Sequence, residues 1–413
     1  MIDAVRGTRD LMGEDARYYR FIEDTARSVF EMYGFSEIII PILEHTELFT
    51  RGIGDTTDIV TKEMYTFRDR KERSLTMRPE GTAGVVRSYI QNGLDRSAPI
   101  QKFYYSGPMF RYERPQKGRY RQFYQIGVEA FGVRETSLDA DIIKMLADFL
   151  AALGIKDIIV GVNSIGCPAC RPKFNDALVA YLNSKRNELC ADCNDRIDKN
   201  PLRVLDCKIP SCQSAIAGAP VLADHYCEEC ALSFTELKKL LTVMNIPFTI
   251  NPRLVRGLDY YMRTVFEIAC AELGAQNAIV GGGRYDGLVA MLGGAAVPGI
   301  GFAFGVDRLI DVLKEKKIEV PPQVRKVFIA WQLDDVSLLL RVADMLRKSG
   351  VAAEYVYEKK SFKSQLKQAD RNGFNYVVFL GENEAKSENL HVKNMKTGEE
   401  IEVAVSLLSE ILS

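Results

Sequence analysis

The sequence predicts an α+β protein: a mainly antiparallel sheet flanked by helices, interrupted by an inserted helical module and followed by a doubly wound α/β domain. Three observations carry this reading. Residues 100–112 and 122–131 are strand-like runs separated by a polar, basic loop, the pattern of a long antiparallel hairpin. Between Cys167 and Ala231 the chain turns helical, charged and cysteine-rich. Beyond Pro321 and Pro322, strand-like and helix-like segments alternate, as they do in a small α/β domain.

The elements follow in order. Residues 15–33 have the spacing of an amphipathic helix, and 35–41 (FSEIIIP) read as a strand closed by proline. Pro79 suits the entry to a helix over 80–91. After the hairpin come a strong helix over 137–153 and a strand over 157–163. Strand-like chain returns at 254 and continues over 265–270, 278–280 and 299–303, leading into a helix over 307–316. The last domain reads as strand 326–331, helix 336–349, strand 352–357, helix 361–372 and strand 376–380. The resulting division is 1–162, an insertion over 163–251, 252–320, and a separate domain over 324–413. Neither an internal repeat nor a low-complexity tract is evident.

Composition narrows the class. Of 413 residues, 47% are hydrophobic and 26% charged, which is enough apolar side chain for a real core. No run approaches the ~18 apolar residues that a membrane span needs. The opening MIDAVRGTRDLMGED carries acids and no apolar stretch, so it is not a secretory signal, and the expected location is cytoplasmic. The net charge of −1 makes any nucleic-acid contact a matter of local patches. Two exist, at 111–121 (RYERPQKGRYR) and 359–367 (KKSFKSQLK). The three histidines, His45, His225 and His391, are scattered, so catalysis is not expected to rest on imidazole.

Four stretches carry candidate chemistry. In YSGPMFRYERPQKGRYRQFYQIGVE (105–129), Arg111 ends one strand, while Gln125 and Glu129 lie four apart on the return strand and share one sheet face. Such a face can hold an anion at one end and an ammonium at the other. RGLDYY (256–261), followed by Arg263, clusters charges and tyrosines that rarely all enter a core. GGGRYDG (281–287) lets backbone approach a ligand, or forms a tight turn. It is not a P-loop, because no Gly-Lys-Ser/Thr follows. GIGFAFGVDRL (299–309) is a glycine-rich strand entering a helix that bears Arg308.

Taken together and in this order, these stretches strongly resemble the histidyl-tRNA synthetase family, within the class II aminoacyl-tRNA synthetases. The resemblance covers essentially the whole chain. RGTRD (6–10), MRPEGT (77–82), FRYERPQKGRYRQFYQ, LVRGLDYY and GGGRYDGL all match, and LVRGLDYY and GGGRYDG separate this family from other class II enzymes. A regulatory paralogue of the first histidine-biosynthetic enzyme typically lacks both LVRGLDYY and the C-terminal α/β domain, and this chain has both.

The resemblance implies the class II antiparallel sheet, with ATP, L-histidine and tRNA(His) as substrates, magnesium as the ion, and a homodimer with Pro41 at its interface. It implies three catalytic arginines: Arg111 on the α-phosphate and substrate carboxylate, Arg256 on the α-phosphate, and Arg308 on the γ-phosphate. Glu80, Thr82, Gln125 and Glu129, with Arg111 and Arg256, would hold the histidine backbone. Tyr261 and Tyr285 would enclose its ring, and Tyr260 completes the histidine-binding set. Glu113, Arg119 and Arg121 join the three arginines in the ATP-binding set. Arg114 and Gln116 match positions that meet the tRNA acceptor end. The C-terminal domain would read the anticodon, with Lys359, Lys360, Lys363 and Lys367 as candidate phosphate contacts.

The physics is consistent with these roles. A carboxylate is already an anion at neutral pH, so its attack on the α-phosphate needs alignment and positive charge, not a general base. Arginine supplies that charge without titrating.

Eight of nine cysteines fall in four close pairs: Cys167/Cys170, Cys190/Cys193, Cys207/Cys212 and Cys227/Cys230. Three are CxxC, a spacing suited to tetrahedral thiolate zinc. Eight thiolates have the capacity for two structural zinc ions or, as the second choice, an iron–sulfur cluster. How the pairs combine is not legible. Members of the family often lack some or all of these cysteines, so the resemblance supplies no metal. The expectation is a module with little apolar core, held together by metal and packed over the tRNA acceptor arm.

Overall fold

The computed structural model describes residues 2–55, 57–97, 100–114, 118–270, 278–320, 326–387 and 389–412. The chain divides into two compact units, Met1–Val320 and Pro321–Ser413.

The first unit contains eleven described strands: β1 (Ser36–Glu37), β2 (Leu43–His45), β3 (Tyr65–Arg68), β4 (Ser74–Met77), β5 (Gln101–Phe110), β6 (Gln122–Phe131), β7 (Ile158–Ser164), β8 (Phe248–Ile250), β9 (Met262–Cys270), β10 (Ala278–Arg284) and β11 (Gly299–Gly305). Eight of them form one sheet in the order β1-β5-β6-β11-β10-β9-β7-β8, antiparallel except for the parallel edge pairs β1/β5 and β7/β8. The hairpin expected from the sequence is β5/β6, in continuous register from Gln101↔Phe131 to Phe110↔Gln122. A separate three-stranded sheet, β2-β4-β3, was not read from the sequence, because strands of three or four residues carry no periodicity. The strand expected over 35–41 shortens to β1. Ile38 N still donates to Tyr104 O at 2.8 Å, but beyond it the chain leaves the sheet for β2.

Strand alternation sorts side chains onto two faces. Ile126, Val128 and Ala130 of β6 enter a core formed with the helices Gly13–Met32 and Thr136–Ala152, including Phe30 and Phe149. The intervening residues of β6, Gln125, Gly127 and Glu129, face the other way. That second face carries Tyr105, Tyr260, Tyr261 and Tyr285 in a buried cluster shared with the inserted module.

The module contains the helices Arg171–Asn183, Ala191–Lys199 and Pro210–Ile216. Its residues Phe174, Leu178, Leu182, Ile197, Val204 and Leu205 are buried in that same cluster. The expectation of little apolar core therefore fails: the module builds its interior against the site-bearing face of the sheet. At its ends, β7 runs through Asn163 and Ser164, and β8 pairs with β7. The helix Glu228–Val243 sends Phe234, Leu237 and Leu241 into the main core.

The second unit has five described strands, β12 (Lys326–Gln332), β13 (Ala352–Glu354), β14 (Tyr376–Gly381), β15 (Asn389–Asn394) and β16 (Glu400–Ala404), in the order β13-β12-β14-β15-β16. The first three are parallel, as the alternating pattern predicts. An antiparallel pair, β15 and β16, extends the sheet and was not anticipated. No helix among the described residues is long and apolar enough to cross a membrane.

Candidate active site

Residues from distant stretches meet in two adjoining chambers on the second face of the sheet. The smaller has a volume of about 210 Å³ and is lined by Glu80, Thr82, Arg111, Gln125, Arg256, Tyr260 and Tyr261, among others. Pro79 closes β4's exit, and the chain then enters the helix Thr82–Gln91. The Glu80 carboxylate accepts from Thr82 N at 2.7 Å and Ala83 N at 2.9 Å, satisfying backbone donors that a helix start leaves open. That bond fixes Glu80 at the chamber wall. Behind it, Thr82 Oγ1 donates to Glu129 Oε1 at 2.6 Å, and the Tyr285 hydroxyl donates to Glu129 Oε2. Glu129 and Tyr285 thus stand behind the wall and do not line the chamber.

The electrostatics favour a cation. Burial raises the Glu80 carboxyl against the bonds from Ala83 and Thr82. Burial pushes Glu129 up to about 8, opposed by the Thr82 and Tyr285 hydroxyls and reinforced by the charge of Glu80. An ammonium group at Glu80, with Glu129 close behind Thr82, would offset the burial cost of their charges. Three buried polar atoms on this chamber find no hydrogen-bond partner among the described residues: Gln125 Oε1, Arg256 Nε and the Tyr260 hydroxyl. Buried polar groups are rarely left so, and three on one cavity point to a polar ligand there.

The triple glycine of GGGRYDG is strand, with the turn following at Asp286 and Gly287, and GIGFAFG is the strand that the sequence suggested. Gly281, Gly282 and Gly283 lie within β10, opposite Ala303, Phe302 and Gly301 of β11. A Cβ on Gly281 would lie 1.9 Å from Arg256 Nη2, and one on Gly301 would lie 2.1 Å from Glu129 Oε2. Their missing side chains are the space that Arg256 and Glu129 occupy. Arg284, in the same motif, leaves the site and forms a buried ion pair with Asp139, Nη2 to Oδ1 2.6 Å.

The larger chamber, about 700 Å³, shares Arg111, Gln125, Arg256, Gly257, Gly281 and Ala303 with the smaller one. Its other charged lining includes Glu113, Arg119, Glu267 and Arg308. Arg111 is held by its Nε donating to Pro79 O at 2.8 Å, with its guanidinium 5.4 Å from the Phe123 ring centre. Burial lowers the Arg308 pKa, and the charge of Arg119 lowers it further, so arginines crowd here as they do where an anion is to bind. The module supplies part of the wall through Leu205, Asp206, Cys207 and Lys208. Neither chamber is lined by a histidine.

Several expected residues stand elsewhere. Arg121 does not line the chamber: its guanidinium stacks 3.9 Å over Tyr112, and its stem packs under Gly7. Arg263 pairs with Glu229 and Asp286. Arg114 is exposed, and Gln116 lies outside the described residues. Of the four candidate lysines in the second unit, Lys359 pairs with Asp334 and Lys360 with Glu358, while Lys363 and Lys367 are exposed on the helix Phe362–Arg371. Sequence reasoning missed Glu267, an acid within the otherwise apolar stretch 265–270 of β9. It also missed Arg9, whose Nη2 donates to Asp307 Oδ1 at 2.6 Å beside Arg308. The eight cysteines gather into two groups of four, Cys167/Cys170/Cys227/Cys230 and Cys190/Cys193/Cys207/Cys212.

A small chamber walled by a buried acid and tyrosines, sharing two arginines with a larger, arginine-rich one on an antiparallel sheet, is an arrangement suited to an amine-bearing substrate beside an anionic one. Residues 7–309 match the family model "Histidyl-tRNA synthetase", and 323–413 match "Anticodon binding domain". Among curated relatives, the histidine–tRNA ligase of Desulfatibacillum aliphaticivorans is 50% identical over 99% of this chain and 98% of its own. That of Aquifex aeolicus is 50% identical over 98% of this chain and 100% of its own. The solved apo histidyl-tRNA synthetase of S. aureus superposes with a TM-score of 0.83 at 36% identity, covering 100% of both chains. The chain belongs to the histidyl-tRNA synthetase family, and it is an aminoacyl-tRNA ligase.

Proposed function

We propose that the smaller chamber binds L-histidine and the larger one ATP, so that the histidine carboxylate meets the α-phosphate between Arg111 and Arg256. The observation that carries this is the sharing of those two guanidinium groups by both chambers. They are placed to stabilise charge growing on the α-phosphate, while Arg308 and Arg119 face the distal phosphates. Glu80 takes the ammonium, and Glu129, behind the wall, adds its charge through Thr82. Gln125 and the tyrosines Tyr260 and Tyr261 line the rest of the chamber, with Tyr285 holding Glu129 from behind. The histidyl group then passes from the adenylate to tRNA(His). Because no histidine lines either chamber, the adenylate's own phosphate is the proton acceptor we assign to that transfer.

Magnesium suits the larger chamber, where Glu113 and Glu267 present carboxylate oxygens, the ligand type this ion prefers. When bound, it would neutralise phosphate charge. We assign catalysis to 1–162 and 252–320, the insertion at 163–251 to the acceptor arm together with Arg114 and Gln116, and the anticodon to 324–413, with the exposed Lys363 and Lys367 as phosphate contacts. We place the enzyme in the cytoplasm as a homodimer. Ile39 (86% exposed), Ile42 and Leu43 flank Pro41 with apolar surface that a second copy would cover. Sedimentation analysis yielding only monomer would remove that last assignment. The direct test of the main reading is ATP–pyrophosphate exchange with each of the twenty amino acids in turn. Exchange with histidine alone is expected, and none with any amino acid would overturn the reading.

A further inference from the structure

The two cysteine groups bring together the first pair with the fourth, and the second with the third. All eight thiols are free, and within each group the ligand atoms lie within 4.8 Å of one another. In the first group, Cys167 Sγ is 3.6 Å from Cys170 Sγ and 3.8 Å from Cys227 Sγ. A zinc–sulfur bond of about 2.3 Å in a tetrahedron separates its sulfurs by about 3.8 Å. The backbone is arranged for thiolates as well. Cys227 N donates to Cys170 Sγ at 3.1 Å, Cys190 N to Cys212 Sγ at 3.1 Å, and Cys193 N to Cys190 Sγ at 3.4 Å. Such outer donors steady a metal's sulfur ligands.

Each group adjoins a contact that holds the active site. Arg171 follows Cys170 directly, and its guanidinium donates to Tyr261 O on the smaller chamber's wall and, through Nε, to Ile165 O at 3.2 Å. Arg203 sits between the two pairs of the second group, and its Nη1 donates to Arg256 O at 3.2 Å. Asn200, in the same stretch, donates to Asp259 at 2.7 Å, and Cys207 itself lines the larger chamber. The insertion thus grips LVRGLDYY at both ends, from two points that the cysteine groups tie down.

We propose that each group binds one zinc ion through four thiolates, and that the two ions hold the insertion against the active site. The first sets the wall of the smaller chamber through Arg171, and the second sets Arg256 and the wall of the larger chamber through Arg203 and Cys207. The metal sites stand on their own geometry; only the kinetic consequence rests on the ligase reading.

Metal analysis of the full chain purified under reducing conditions should find about two zinc ions per chain. Cys170→Ser and Cys193→Ser should each retain about one, and the double variant none. Cobalt exchanged for zinc should show the intense visible bands of tetrahedral thiolate coordination. Zinc absent from wild-type protein that also fails to take up cobalt would overturn the sites, as would acid-labile sulfide with iron in place of zinc. For the bracing role, Cys170→Ser should raise the KM for histidine at least tenfold with a smaller change for ATP, and Cys193→Ser should raise the KM for ATP. If those variants fail to fold, Arg171→Ala keeps the question open to test. It should retain both metals yet raise the histidine KM, and an unchanged KM would reject the bracing. Absence of all exchange activity from a chain holding two zinc ions would leave the sites standing and reject the ligase reading instead.

Discussion

The Thr82 hydroxyl donates to Oε1 of Glu129 across 2.6 Å. With the Tyr285 hydroxyl on Oε2, it holds this buried carboxyl at one orientation behind the amine-binding chamber. Burial pushes the group up to about 8, so in the empty enzyme it is largely protonated at neutral pH. An incoming ammonium favours the carboxylate. Histidine binding at pH 7 should therefore release about one proton from the protein, readable by calorimetry in buffers of different ionisation enthalpy. Glu129→Gln should abolish that release. It should also lower histidine-dependent exchange roughly 30-fold or more, the loss expected when one partner of a buried charge pair is removed.

The same carboxyl carries a stability consequence of opposite sense. Its folded-state pKa, about 8, lies above the unfolded value of 4.5. Protonation therefore favours the folded state. The contribution is complete below the unfolded value and is lost as pH rises toward 8, an effect on the order of a few kcal/mol. Glu129→Gln should melt higher than wild type above about pH 8, and the gap should shrink as pH falls toward about 5. A constant difference across that range, measured without substrates, would contradict the assignment.

Gly281 and Gly301 are replaced by space-filling neighbours where a Cβ would stand. Gly281→Ala places carbon 1.9 Å from Arg256 Nη2, and displacing that guanidinium should cut kcat/KM for exchange by roughly 100-fold while the protein remains folded. Gly52→Ala is the matched control. Its Cβ would meet Ala83, Leu288 and Leu292 at an ordinary 3.7 Å, within the helix Thr46–Ile53. Activity should be unchanged there, with stability altered by about 1 kcal/mol or less.

Asp139 and Arg284 are both almost wholly buried, paired at 2.6 Å. Removing Asp139 leaves the buried Arg284 guanidinium with Asp286 at 3.2 Å and the Val133 and Glu135 carbonyls, without its closest counter-charge. Asp139→Ala should destabilise the first unit by roughly 3–5 kcal/mol, read from thermal or urea unfolding. Loss of activity without loss of stability would mean that the pair serves the site and not the core.

Arg9 reaches from RGTRD to Asp307, donating through Nη2 at 2.6 Å and Nε at 3.2 Å, and also pairs with Asp15. Asp307 in turn accepts from Tyr124 N at 3.1 Å. The neighbouring Arg308 is thereby tied to the start of the chain. Arg9→Ala should raise the KM for ATP roughly tenfold and leave that for histidine near its original value. Equal changes in both would point to general loosening.

Much of this was legible in residue order. The hairpin, the helices of 137–153 and 307–316, and the alternation after residue 326 announce themselves because burial on one face imposes a period on the sequence. The candidate site residues came from the resemblance that the ordered motifs carry, since each motif alone also fits a surface hairpin or a turn. What the sequence could not decide is which of these residues touch one cavity. Glu129 and Tyr285 stand behind the wall, and Arg121 packs on Tyr112 beside the site, because strand register and loop closure set those positions. Gly281, in a motif weighed as a turn, proved to be room for Arg256, and Gly301 room for Glu129, relations between segments far apart in sequence. The nesting of the cysteine pairs, first with fourth and second with third, was equally out of reach, because local spacing constrains only neighbours in the chain. Residue type and order determined the family of chemistry; the packing of β6, β10 and β11 against the insertion decided where each group stands, since through-space contact depends on chain closure that no local pattern encodes.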